Sequence, residues 1–140
     1  AWLTRLERTQ GEISVSLDTE RIEPAYRLGR LFAVLEKTQE DALPGINATV
    51  RDRFYSAASA TPATVFPRLL RTYQHHLAKL VPGARINREK LVQEIVDGLD
   101  GMPAHLNLEA QALFTIGYYH QRKTLFGGRK TTEPTTDNQE

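Results

Sequence analysis

There is no cysteine in this chain. That excludes disulfide frameworks, thiol nucleophiles and cysteine-rich zinc sites, and it fits a reducing cytoplasm. With four histidines and no cysteine, a structural zinc site lacks its usual ligands. Long apolar runs are missing too. None approaches the roughly 18 residues that a membrane span needs. The N-terminus AWLTRLERTQ has no basic start, no apolar stretch and no cleavage site, so it does not read as a signal peptide. A nucleophile elbow, a phosphate-cradling glycine loop and HExxH are also absent. No catalytic apparatus and no cofactor are therefore expected. Acid is missing from the middle of the chain: no residue from Arg53 to Arg88 is Asp or Glu.

What is present is ordinary globular composition over 140 residues, 40% hydrophobic and 25% charged. That length suits one domain able to bury its own core. The charge is unevenly placed. Residues 1–50 hold six bases and eight acids, and residues 131–140 hold three acids and no base. Without that tail the formal charge rises from +1 to +4. Between Arg51 and Lys90, eight Arg or Lys residues stand beside two acids, Asp52 and Glu89.

The periodicity predicts an all-α bundle of about five helices joined by short loops. Residues 1–21 read as a lead-in or helix, 22–126 as the bundle, and 127–140 as a disordered tail. Glu12 to Leu17 (EISVSL) alternates with period two and reads as a short strand or extended lead-in. Asp18 or Thr19 caps a first helix with Pro24 in its first turn. Leu28, Leu31, Phe32 and Leu35 form its inner face, with Arg27, Arg30 and Lys37 on another. After the Leu43-Pro44-Gly45 break, Asn47 caps a second helix to about Ala60. Pro62 and Pro67 conflict. Either Pro62 opens a short turn and Pro67 starts the main helix, or one helix is kinked there; the first is favoured. Val81-Pro82-Gly83 ends that helix. Asn87 caps the fourth, with Leu91, Val92, Ile95 and Val96 inward. Asn107 caps the fifth, LEAQALFTIGYYHQRKTLF, with Ala112, Leu113, Ile116 and His120 buried.

The segment Phe66 to Val81 (FPRLLRTYQHHLAKLV) is the densest in basic charge. At about 100° per residue, Phe66, Leu69, Leu70, Tyr73, Leu77 and Leu80 share one face. Arg68, Arg71, His75 and Lys79 share the opposite one. A merely solvated face usually mixes signs for i, i+4 pairing. A basic stripe without acid suits a nucleic-acid backbone. Both readings stay open. Arg122 and Lys123 extend the basic set, although cations at a helix C-terminus are favoured by the dipole alone.

Three weaker signals remain. Adjacent His75 and His76 point about 100° apart on a helix, so they do not chelate one ion; His76 reads as edging the core. Arg71 and His76 have the R-x4-H spacing of the catalytic pair in HEPN ribonucleases, which are also small helical bundles. That alternative makes the chain a ribonuclease, although Thr72 departs from the polar Asn, His or Asp of that motif. A third reading is a helical adaptor whose basic stripe meets acidic protein. Tyr118 and Tyr119 cannot both face inward; one is half-exposed, at an interface or stacked on a base.

Three stretches carry a longer likeness: AYRLGRLFAVLEKTQEDA, INATVRDRFYSAASATPATVFPRLLRTYQHHLAKL and EAQALFTIGYYHQRKTLF. Over about Ile22 to Phe126 the chain resembles the C-terminal helical region of the large subunit of the type I-C CRISPR effector complex, Cascade. In that family the same reading frame also yields this region separately by internal translation, and a chain starting just before the helical region looks like that product. The resemblance implies a non-catalytic, cytoplasmic small subunit. Its partners would be the backbone subunits, the large subunit, a second copy of itself and target DNA, mainly the displaced non-target strand. Contact with guide RNA would be indirect or weak. Sequence reading would be left to base pairing, the protein supplying charge and shape. The family gives no catalytic residues to transfer. The nucleic-acid contacts named come from helix phase: Arg68, Arg71, His75, Lys79, Arg27, Arg30, Lys37, Arg122 and Lys123.

Overall fold

Five α-helices are arranged with one of their number in the middle. The computed structural model describes residues 17–47 and 49–127. The helices are α1 (Pro24–Ala42), α2 (Val50–Ala60), α3 (Pro62–Leu77), α4 (Pro82–Asp97) and α5 (Leu108–Arg122). A π-helical turn, Lys123–Gly127, continues α5. The described residues contain no strand, so the all-α expectation holds for them. The expected extended segment at 12–17, save Leu17, and all but the first residue of the expected tail at 127–140 lie outside the described residues.

Helix α1 is the centre. Every residue from Ala25 to Gln39 is buried, so this stretch of the helix has no solvent face. Phe32 is the meeting point of the other elements. Its ring stands edge-on to Tyr55 of α2 at 5.5 Å, Phe66 of α3 at 6.4 Å and Tyr118 of α5 at 5.8 Å. Such edge-to-face pairs add to the burial of the rings themselves. Helix α4 lies antiparallel along α1, bonded through Arg27 to the Ile95 carbonyl near one end and through Arg88 to Thr38 near the other.

The closest approach is between α1 and α5. A Cβ built on Gly29 would meet the Phe114 carbonyl oxygen and stand 2.8 Å from the Tyr118 nitrogen. A Cβ on Gly117 would meet the Tyr26 carbonyl and stand 2.9 Å from its carbon. Only glycine lets these two backbones touch. This crossing sets the phase of α5. Phe114, Gly117, Tyr118, His120 and Gln121 are buried. The expected inner set is corrected accordingly: His120 is inside, Leu113 and Ile116 are half-buried, and Ala112 is exposed. The apolar count overlooked Gly117, which marks the contact because it has no side chain.

Local chemistry explains most of the boundaries. Pro24 opens α1 at its first turn. Thr49, not Asn47, caps α2 in a reciprocal box: Asp52 N donates to Thr49 Oγ1 at 3.1 Å, and Thr49 N donates to Asp52 Oδ2 at 3.3 Å. Thr61, the residue before Pro62, is out of the helical region at φ -134° and ψ 70°, as the proline ring disfavours helix there. Contrary to expectation, α3 starts at Pro62 and runs through Pro67. An interior proline costs about 3 kcal/mol. Val65, Phe66, Leu69, Tyr73 and Leu77 are all buried by the continuous helix, and each large apolar group contributes about 1.5–3 kcal/mol. That sum outweighs the break. The α2–α3 joint is strapped by the loop before α5, where Leu106 N donates to Ala60 O and Ala63 N donates to Pro103 O.

Helix α3 ends at Leu77, and Lys79 and Leu80 form the tightened turn after it. Pro82 therefore opens α4 rather than following α3. Asn87 lies inside α4 and caps nothing; a proline at the first turn outranks an asparagine five residues later. Of the expected inner residues of α4, Ile95 is buried while Leu91, Val92 and Val96 are half-buried. Asn107 caps α5 as expected, its Oδ1 accepting from Ala110 N at 2.8 Å.

Two contrasts test this packing. Gly29→Ala drives a methyl group into backbone and should cost about 3 kcal/mol or more. Gly83→Ala in α4 meets nothing within 4 Å and should stabilise by about 0.5–1 kcal/mol. Urea denaturation of both variants checks the pair, and equal effects would contradict the crossing. Arg30 is 0% exposed; Arg30→Ala should cost about 1–3 kcal/mol because buried Gln121 loses its donor, while exposed Glu94 returns to solvent. Arg71 is exposed, and Arg71→Ala should stay within about 0.5 kcal/mol of the parent.

Candidate nucleic-acid interface

Helix α3 carries two faces. Its inner stripe is fixed against α1 by Phe66, Leu69, Tyr73 and Leu77. Rotation of about 100° per residue then sends Arg68, Arg71 and His75 outward. All three, with Lys79 in the following turn, are exposed. None forms an ion pair with another described residue. Charge left unpaired on one side of a helix is available to an anion.

The face continues onto α2. The Arg68 guanidinium lies 5.6 Å from the Phe54 ring centroid, and the Arg53 guanidinium lies 5.8 Å from the same ring. Phe54 thus joins the basic residues of two helices. Arg51, also exposed, leaves α2 on another side and donates to the Tyr119 hydroxyl at 2.7 Å. Asp52 sits between them in sequence but is committed to the α2 cap. Arg51 and Arg53 were not singled out by helix phase. Their signal was R-x-R followed by Phe54-Tyr55, a basic pair running into aromatics. The groove on the α3–α4 side has mixed sign, lined by Tyr73, Gln74, Ile86, Glu89, Lys90 and Gln93.

The three candidate residues of α1 are corrected. Arg27 is buried and reaches the C-terminal end of α4, where Nη1 donates to Ile95 O at 3.4 Å and the guanidinium covers Gly98. A cation there answers the helix dipole. Arg30 donates from Nε to Gln121 Oε1 at 2.8 Å and from Nη2 to Glu94 Oε1 at 3.0 Å. Lys37 pairs with Asp41 at 3.3 Å, and its ammonium lies 4.6 Å from the Phe126 centroid. Arg27 and Arg30 join helices together, Lys37 pairs within α1, and none of the three forms a surface. Burial of α1 on all sides is the reason.

Arg122 is half-buried. Its Nε lies 3.4 Å from Glu36, without hydrogen-bond alignment, and its guanidinium stacks 4.4 Å from the Phe126 centroid. Glu36 also accepts from the Tyr118 hydroxyl at 2.6 Å. Burial and this carboxylate push the Tyr118 hydroxyl far above its ordinary range. Arg122 therefore serves the core first. Lys123 is exposed. Of the two tyrosines, Tyr118 is buried and Tyr119 is 45% exposed.

The R-x4-H pair does not converge. Positions five apart on a helix differ by about 140°. Arg71 is exposed, whereas His76 is 6% exposed and packs inward. Burial, with His75 and Lys79 nearby, pushes the His76 imidazole below its ordinary value of 6.5. No cluster of three or more His, Asp or Glu able to hold a metal ion occurs among the described residues. No described helix is long and apolar enough to cross a membrane.

No curated protein matches the chain. The family model described as CRISPR-associated protein (Cas_Csd1) matches residues 1–126. The match takes in residues 1–21 and covers all five helices. The chain belongs to the CRISPR-associated Cas_Csd1 family.

Proposed function

We propose that this chain is a non-catalytic helical subunit of an RNA-guided DNA surveillance complex of type I-C, in the small-subunit role. Its basic α2–α3 face holds target DNA, mainly the displaced non-target strand. The observation that carries this reading is the exposed set Arg68, Arg71, His75 and Lys79, with no ion-paired acid among the described residues. Family membership supplies the setting, in which guide pairing opens the duplex and protein contacts hold the separated strand. The other subunits of the complex, and a second copy of this chain, are its protein partners. Guide RNA is touched weakly or indirectly. The cytoplasm is where such a complex meets its target.

The non-catalytic part of the proposal rests on geometry. A general base must reach the proton it removes, and His76 faces the core while Arg71 faces outward. Labelled RNA incubated with the chain should stay intact. Metal-independent cleavage abolished by His76→Ala would instead make the chain a ribonuclease.

Phosphate contact makes a second, quantitative expectation. Binding that releases counterions weakens with salt at a slope of about 0.7 per phosphate on single strands. Replacing Arg68, Arg71 and Lys79 together with Ala should lower DNA affinity and reduce the salt slope by about 2. The thermal melt should barely move, because all three residues are exposed. An unchanged affinity and slope in the folded triple variant would contradict the assignment of this face.

A further inference from the structure

A pocket of about 360 Å³ opens where α5 passes into its π-helical turn, lined by Tyr119, Arg122, Lys123, Phe126 and Gly127. That is near the small end of the roughly 300–1,000 Å³ range of ligand sites. Among the described residues its lining holds two aromatic rings, two cations and no carboxylate. Tyr119 is held in place before any ligand arrives. Its hydroxyl accepts from Arg51 at 2.7 Å, and its ring meets the Tyr118 ring edge-on at 4.8 Å. Phe126 is held by Lys37 and Arg122 over its ring. Preordered rings lose little freedom on binding.

An aromatic platform beside cations suits a nucleobase with its phosphate. In a duplex both faces of a base are already stacked; only an unpaired strand has a face to offer. We propose that this pocket takes one unstacked base of a single-stranded nucleic acid, Tyr119 beneath the base and Lys123 and Arg51 beside its phosphates. The proposal rests on the nucleic-acid reading above and deepens it. The α3 face attracts any phosphate backbone, and the pocket makes the surface prefer a single strand. Helix α2 bridges the two, sending Arg53 toward Phe54 and Arg68, and Arg51 toward Tyr119.

The test is fluorescence anisotropy at low salt with a labelled oligothymidylate and a duplex of equal length. Tyr119→Leu should bind the single strand about tenfold more weakly and the duplex as the parent does. Tyr119→Phe keeps the ring and should retain most of the single-strand affinity. Parent-like single-strand binding by Tyr119→Leu overturns the pocket. So does equal weakening on both ligands, which would mark a general effect. The Arg68, Arg71 and Lys79 triple variant separates this inference from the one beneath it. If the triple variant loses binding while Tyr119→Leu does not, the phosphate face stands and the pocket falls. If the parent chain binds neither ligand, both fall.

Discussion

Two glycines bring two backbones into contact, and the rest of the bundle is arranged around that contact. Gly29 and Gly117 let α1 and α5 approach until each helix meets the other's main chain. No side chain separates them there. The close approach leaves α1 enclosed by the remaining helices. Enclosure decides the fate of every polar group on α1. An unpaired buried charge costs several kcal/mol, so the buried charged residues of α1 all have partners. Arg27 takes the end of α4, Arg30 takes Gln121 and Glu94, Glu36 takes Tyr118 and Arg122, and Lys37 takes Asp41. Gln39 accepts from the backbone nitrogen of Val50 at 2.7 Å and so ties down the start of α2. Polar residues in the central helix thus set which helix docks where.

The fold class was legible because the apolar residues recur at helical spacing and the breaks are marked by proline, glycine and asparagine. Phe66, Leu69, Tyr73 and Leu77 identified the inner face of α3, and the outer face followed from it. What sequence alone misjudged on α1 has one cause. A charge at helical spacing away from an apolar stripe reads as solvated, and that rule assumes one buried face. Arg30 looks no different from Arg68 in sequence; only the encircling of α1 separates them. The α5 phase failed for a related reason, since Gly117 contributes no hydrophobicity yet sits at the tightest contact. Pro67 was misjudged because its local cost is visible in sequence and the burial that outweighs it is not. Arg51 and Arg53 escaped notice because their roles depend on Tyr119 and Phe54, and the Arg51–Tyr119 bond spans 68 residues.

The division of labour among basic residues follows from the same architecture. Those on α1 are spent inside. Arg88 is tied to Thr38 and Asp41 on α1. Among the described residues, the exposed Arg and Lys residues belong to α2, α3 and the turns after α3 and α5, with Lys90 on α4. A charged surface presented by a rigid helix requires little ordering when a strand arrives. Such contacts would be blind to sequence, which suits the proposed role in a complex whose guide reads the target. Under that proposal each contact alone would be weak, and avidity within an assembly would supply the rest.

The most direct test of this account is target-DNA binding by the guide-RNA complex assembled with and without this chain, scored for strand opening as well as affinity. The account predicts that omission leaves the rest of the complex assembled but destabilises the open state, with the displaced strand losing protection. An omitted chain that changes neither opening nor retention of DNA would contradict it.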